Sequence, residues 1–136
     1  ITDPVIRAQA ESEIKQIMNK YESFSGVYAN DELYKIAEKV KPQSRGSAII
    51  NTADRKTGGV HWQAIYFDAR PNGSKTIEFY DSFGEEPTKH QLKAIKMIVD
   101  KLKPDTYLKL KLNKLMKQSS NSDNCGWFAM KFLIDR

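Results

Sequence analysis

Two β-forming runs, Val60 to Asp68 and Lys75 to Asp81, stand on either side of Pro71-Asn72-Gly73. Aromatic and β-branched residues fill the first run, and the turn chemistry between the two predicts a hairpin. Alternation along the second run sets Ile77, Phe79 and Asp81 on one face. A hairpin also brings the start of one strand beside the end of the other, so His61 and Asp81 can lie side by side. The rest of the chain supplies elements to dock on this unit. Ser47 to Thr52 reads as a short buried strand, and Tyr107 to Leu112 alternates Leu108, Leu110 and Leu112 with Lys109 and Lys111, a strand with one wet face.

Helical spacing appears four times. Residues 8–22 carry Ile14, Ile17, Met18 and Tyr21, and Ser23 to Gly26 breaks the pattern. Residues 31–40, with Asn30 as cap and Pro42 beyond, carry Leu33, Ile36, Ala37 and Val40. Residues 88–103 carry Leu92, Ile95, Val99 and Leu102, closed by Pro104. Residues 118–124 form a polar loop, and 125–134 form a last helix with almost no polar face, which must pack on the sheet. The expectation is α+β: a single domain over 1–136, with a central mixed or antiparallel sheet of about four to five strands flanked by helices.

The last helix begins at the only cysteine of the chain, Cys125, in Asp123-Asn124-Cys125-Gly126-Trp127-Phe128. A single cysteine cannot form an internal disulfide, which fits a reducing compartment or a thiol kept for chemistry. Cysteine attacks as thiolate, and an ordinary pKa of about 8.5 leaves little of it at neutral pH. A helix N-terminus or an imidazolium would lower that value. The structural alternative is a small buried hydrophobe, and the polar run Ser119 to Asn124 argues for exposure instead. His61, in Gly58-Gly59-Val60-His61-Trp62, is held on a strand and suits a general base. Alone it would serve as a structural histidine, and His90, on the lysine-rich helix, is expected to be exposed and inert. Asp81, in Phe79-Tyr80-Asp81-Ser82-Phe83-Gly84, can accept the second N–H of the imidazole, or simply cap the turn. Gln118 stands seven residues before Cys125, where its amide can donate to an oxyanion beside the Cys125 N–H, or only meet solvent. Gly126 removes a side chain next to the nucleophile. Trp62 is either core or a shield for the thiolate–imidazolium pair.

Charge is unevenly placed. Residues 89–117 hold nine lysines against Asp100 and Asp105, a net of +7, so the remainder carries −2 of the +5 total. This points to a polyanion-facing surface, with Lys93, Lys96, Lys101, Lys109, Lys111 and Lys114 as candidate nucleic-acid contacts, or to a solvated basic face. Zinc-finger, RNA-recognition and helix-turn-helix spacings are missing, so binding would be backbone-directed and salt-sensitive. No apolar run approaches a membrane span, no segment has a signal-peptide layout, and no metal is expected.

Taken together, these residues resemble the family of adenain, the adenovirus maturation cysteine protease, within the clan of SUMO- and ubiquitin-like-specific proteases. The densest likeness is Ile50-Asn51-Thr52-Ala53-Asp54-Arg55-Lys56-Thr57-Gly58-Gly59-Val60-His61-Trp62. The Asp81 segment, the interval from Gln118 to Cys125, and Cys125-Gly126 follow in the family's order. The resemblance implies Cys125 as nucleophile, His61 as base, Asp81 as its orienter, and Gln118 with the Cys125 amide as oxyanion hole. Trp62 and Gly126 would then border a narrow substrate tunnel. It implies an endopeptidase cutting capsid or core precursors at small glycine-containing sites, in the virion and the reducing cytoplasm or nucleus of an infected cell. A monomer is expected, with double-stranded DNA as a sliding or activating partner. Three departures stand out. Asp81 occupies a position where adenain has Glu, the hairpin is longer, and the chain is shorter at its C-terminus. With one cysteine, any activating peptide must bind non-covalently. Rival readings are a SUMO- or ubiquitin-like-specific protease or deconjugase, an acetyltransferase of the same clan, and a nucleic-acid-binding domain without catalysis.

Overall fold

In a computed structural model, which describes residues 4–54, 61–113 and 125–136 (side chains from residue 10 onward), the hairpin is the centre of a five-stranded sheet. The elements run α1 (Pro4–Met18), β1 (Phe24–Tyr28), a 3-10 turn (Asn30–Glu32), α2 (Tyr34–Glu38), β2 (Arg45–Asn51), β3 (Trp62–Asp68), β4 (Thr76–Tyr80), α3 (Lys89–Leu102), β5 (Lys109–Leu112) and α4 (Cys125–Ile134). Strands lie in chain order across the sheet. β2, β3 and β4 are antiparallel, whereas β1 runs parallel to β2 and β5 parallel to β4. Parallel neighbours need a crossover. α2 supplies the first and α3 the second. The α+β expectation therefore holds, with the sheet mixed.

Every residue of β3 is buried, so both faces of the sheet must be covered. Ile65 and Phe67 face one way and pack with Ile77, Phe79, Ile95, Ile98 and Leu102 under α2 and α3. Trp62, Ala64 and Tyr66 face the other and pack with Ile14, Met18, Cys125, Ala129 and Leu133 from α1 and α4. No described helix is long and apolar enough to cross a membrane.

Several local expectations shift. Ser23 to Gly26, which breaks the helical pattern, leads into β1 at Phe24–Tyr28. β1 is an edge strand whose register slips between Phe24 and Val27, with Gly26 at φ 144°, a bulge that a side chain would strain. The helix expected at 31–40 is a 3-10 turn followed by the short α2. Its entry is closed by the Glu32 carboxylate accepting from Ala29 N–H at 3.0 Å, whereas Asn30 sits inside the turn and donates to Asp54. α3 starts where expected, with Thr88 as cap, and ends at Lys103 in a left-handed conformation ahead of Pro104. Its buried stripe is Gln91, Ala94, Ile95, Ile98 and Leu102, and Leu92 is 41% exposed. The face is rotated because a polar residue, Gln91, has bonding partners beneath the helix.

The hairpin turn is organised by one carboxylate. Asp68 accepts from Arg70 N–H (3.1 Å), from Arg70 Nε and Nη2 (2.9 Å each) and from Ser74 N–H (3.3 Å). A Cβ at Gly73 would lie 2.1 Å from Asp68 Oδ1, so only glycine fits there. The Arg70 hydrogen bonds outweigh burial and hold the Asp68 pKa at about 2, against an ordinary 3.8.

Two outcomes follow in urea unfolding. Phe79→Ala should cost about 3–5 kcal/mol by emptying the core, and Leu92→Ala less than about 1 kcal/mol. Asp68→Asn should destabilise at pH 7 by about 1–3 kcal/mol. Because the folded pKa is depressed, the contribution of Asp68 is complete above pH 3.8 and lost as pH falls through about 2, where the variant and parent should converge.

Candidate active site

The site forms where the ladders of β2, β3 and β4 end. Asn51 pairs with Trp62, and Thr52 N–H donates to the His61 carbonyl at 3.0 Å, so His61 is the last residue held before β3 begins. Tyr80 pairs with Ala64, which sets Asp81 just past the end of β4 and on the side of Gln63. His61 Nε2–H donates to Asp81 Oδ1 at 2.9 Å. The imidazole also stacks on Phe83, with ring centroids 4.8 Å apart. On its other side, the ring is near enough to Cys125 for each group to shift the other's pKa. Trp62 N–H donates to Cys125 Sγ at 3.4 Å.

Asp81 is 1% exposed, and a carboxylate so deep must be met by donors. Besides His61, Phe83 N–H reaches Oδ1 at 2.7 Å and Gln63 Nε2 reaches Oδ2 at 2.7 Å. The backbone is clipped as well: Asp81 N–H donates to Asn113 Oδ1 at 2.9 Å, and Asn113 Nδ2 donates back to the Asp81 carbonyl.

These contacts set the protonation states. Burial alone would lower the His61 pKa, but hydrogen bonds to Asp81 and then Cys125, together with both negative charges, lift it to about 9 from 6.5. Burial pushes the Cys125 thiol up. The His61 hydrogen bond, the Trp62 N–H, the imidazolium charge and the Gly126 N–H together bring it below its ordinary value. Burial likewise raises Asp81, and the His61, Gln63 and Phe83 bonds more than reverse it. Each of the three groups is thus biased toward its charged form by its partners, against the effect of burial.

Cys125 begins α4, as expected, but it is 5% exposed rather than open to solvent. Ile14, Met18 and Trp62 pack around it. Trp62 is 2% exposed, and a Cβ on Gly126 would lie 3.2 Å from its ring, so the bare face of Gly126 is filled by the indole. His90 is exposed but not idle, since its Nε2 lies 2.8 Å from the Asn30 carbonyl and ties α3 to the 3-10 turn. Gln118 and Lys114 lie outside the described residues. Lys93, Lys96, Lys101, Lys109 and Lys111 are exposed on α3 and on the edge strand β5. Sequence reasoning missed Gln63, Phe83 and Asn113 as bonding partners of Asp81, and Gln91 as the partner of Gln63. A glutamine amid the apolar residues of β3 was the one visible signal.

Residues 24–135 match the adenovirus endoprotease family. The chain belongs to that family. It is 34% identical over 98 residues to the protease of bovine adenovirus C serotype 10, covering 67% of this chain and 48% of that protein. With the protease of human adenovirus D serotype 17 it shares 35% over 95 residues, covering 63% and 43%. It therefore spans about half the length of these family members. The fold is similar to the crystal structure of an ASFV protease, with a TM-score of 0.64 at 17% identity, covering 93% of this chain and 54% of that one.

The family setting and the geometry make the His61–Asp81 contact testable through the thiol. Asp81→Asn should lower the His61 pKa and slow iodoacetamide alkylation of Cys125 roughly tenfold at pH 6, with the rates converging near pH 10, where the thiol ionises unaided.

Proposed function

We propose that this chain is the catalytic region of a viral cysteine endopeptidase. The observation that carries the reading is the imidazole of His61, hydrogen-bonded to the buried Asp81 carboxylate, with Cys125 at the start of α4 held against the adjoining Trp62 N–H. Membership of the adenovirus endoprotease family supports it.

In this mechanism the Cys125 thiolate attacks a peptide carbonyl carbon. The carbonyl oxygen becomes an oxyanion, held by the Cys125 N–H and the Gln118 amide. As the tetrahedral species collapses, the C–N bond breaks and the His61 imidazolium gives its proton to the departing amine. Water then attacks the thioester, losing its proton to His61, and the C–S bond breaks to release the acid and restore the ion pair. Asp81 stays ionised and holds the ring. Neither metal nor organic cofactor takes part.

Substrates are polypeptides, taken to be capsid or core precursors with small glycine-containing sites; the buried indole of Trp62 fills the space beside Gly126, so the two do not line an open tunnel. The setting is the virion and the reducing interior of an infected cell. The enzyme works as a monomer. Double-stranded DNA on the exposed lysines of α3 and β5 is a sliding or activating partner, and any peptide activator binds without a disulfide.

Glycine-containing peptides should be cut, as read by mass spectrometry, with His61→Ala lowering kcat/KM by about a thousandfold or more and Cys125→Ala abolishing cleavage. Stimulation by DNA should fade as salt rises. No cleavage of any peptide with or without DNA, alongside an alkylation profile of an ordinary thiol, would sink the reading. Turnover of acetyl-coenzyme A, or cleavage confined to folded ubiquitin-like substrates, would transfer it to a rival.

A further inference from the structure

Gln63 and Gln91 are side chains that the acyl-transfer chemistry does not use. They are 4% and 2% exposed, on β3 and α3 respectively. An amide left unpaired at such depth is destabilising, and both are paired. The pairing has a direction. A backbone N–H can only donate, so the Gln91 atom 3.0 Å from Thr88 N is the carbonyl Oε1. Gln91 Nε2 is then left to donate, which it does to Gln63 Oε1 at 2.7 Å. Gln63 Nε2 in turn donates to Asp81 Oδ2 at 2.7 Å. One fixed N–H at the start of α3 and one carboxylate at the end of β4 thus decide the orientation of both amides between them.

We propose that Gln63 and Gln91 are positioning residues for His61, a relay through which the N-cap of α3 sets the plane of the Asp81 carboxylate and so the direction of the imidazole. Oδ1 receives His61 and Phe83 N–H while Oδ2 receives Gln63, which pins both carboxylate oxygens. Without the Gln63 donor, nothing described here holds Oδ2. The carboxylate can then rotate, and its grip on Nε2–H weakens. Asp81 is bonded to the ring, and Cys125 acts on it from the other side. Glu85 and Glu86, from the loop ahead of α3, border a cavity of about 450 Å³ that His61, Gln63 and Asp81 also line. The first turn of α3 carries no carboxylate. Only the consequence for Cys125 rests on the protease reading.

Two variants test the relay. Gln63→Met keeps the length of the side chain and deletes its donor. Gln91→Glu keeps the acceptor for Thr88 N–H, and with it the helix cap, but sets an oxygen against Gln63 Oε1. Gln63 must then turn over and present its own oxygen to Asp81. An added carboxylate acting through space alone would raise the His61 pKa, whereas a reversed relay lowers it. The measurement is an NMR titration of the imidazoles, with His90 as internal reference in Gln63→Met and thermal melts to check folding. The expected result is a fall in the His61 midpoint by about one unit, a tenfold loss of proton affinity, in both variants. A His61 midpoint that stays put or rises in both overturns the relay. Alkylation of Cys125 in the parent chain separates the two ideas. An ordinary thiol profile together with a His61 midpoint that moves in the variants would retain the relay and refute the protease. Unaltered His61 titration together with peptide cleavage would do the reverse.

Discussion

A strand buried on both faces cannot exist alone, and β3 is such a strand along its whole length. Its backbone needs partners on both edges, and its side chains need cover above and below. β2 and β4 meet the first demand, and the helix pairs α2 with α3 and α1 with α4 meet the second. The site inherits its geometry from that arrangement. Where β3 begins, His61 emerges from the ladder. Where β4 ends, Asp81 does the same, and α4 rests its first residue against Trp62. Three chemically distinct groups converge because three elements end at the same rim of one sheet.

Convergence at a buried rim brings a second constraint. Low dielectric disfavours the charged form of every group there, and for His61, Cys125 and Asp81 alike burial is the largest opposing influence. Each is nonetheless shifted toward its charged form by partners. The carboxylate is met by a backbone N–H, a glutamine and the imidazole. The thiol is met by the imidazole and by the Trp62 and Gly126 N–H groups. Fixed donors that await a charge need no rearrangement when it forms. The same donors are structural, since removing one leaves a buried charge short of compensation.

Elements with strong local signals were legible. The hairpin followed from its turn residues and alternation, and α3 from Thr88 at one end and Pro104 at the other. Cys125 at the head of α4 followed from the polar run ahead of an apolar one. Failures share a cause: tertiary partners overrode a local pattern. β1 hid behind Gly26, whose bulge makes sense only once β2 lies beside it. α3 turned its face away from Leu92 because Gln91 had Gln63 to bond. Cys125 is buried despite its polar lead-in because α1 and Trp62 pack over it.

By itself, the sequence determined the inventory and order of the reactive groups: one thiol, an imidazole on a strand and a carboxylate across a hairpin. Those follow from residue identity and local periodicity, which any short window displays. Tertiary structure alone decided which oxygen of Asp81 faces the ring, which glutamines support it, and in which direction the His61 and Cys125 pKa values move. Desolvation and donors as far as 63 residues away along the chain govern those properties. Only the folded sheet brings such groups within hydrogen-bonding distance and removes the water that would otherwise screen them.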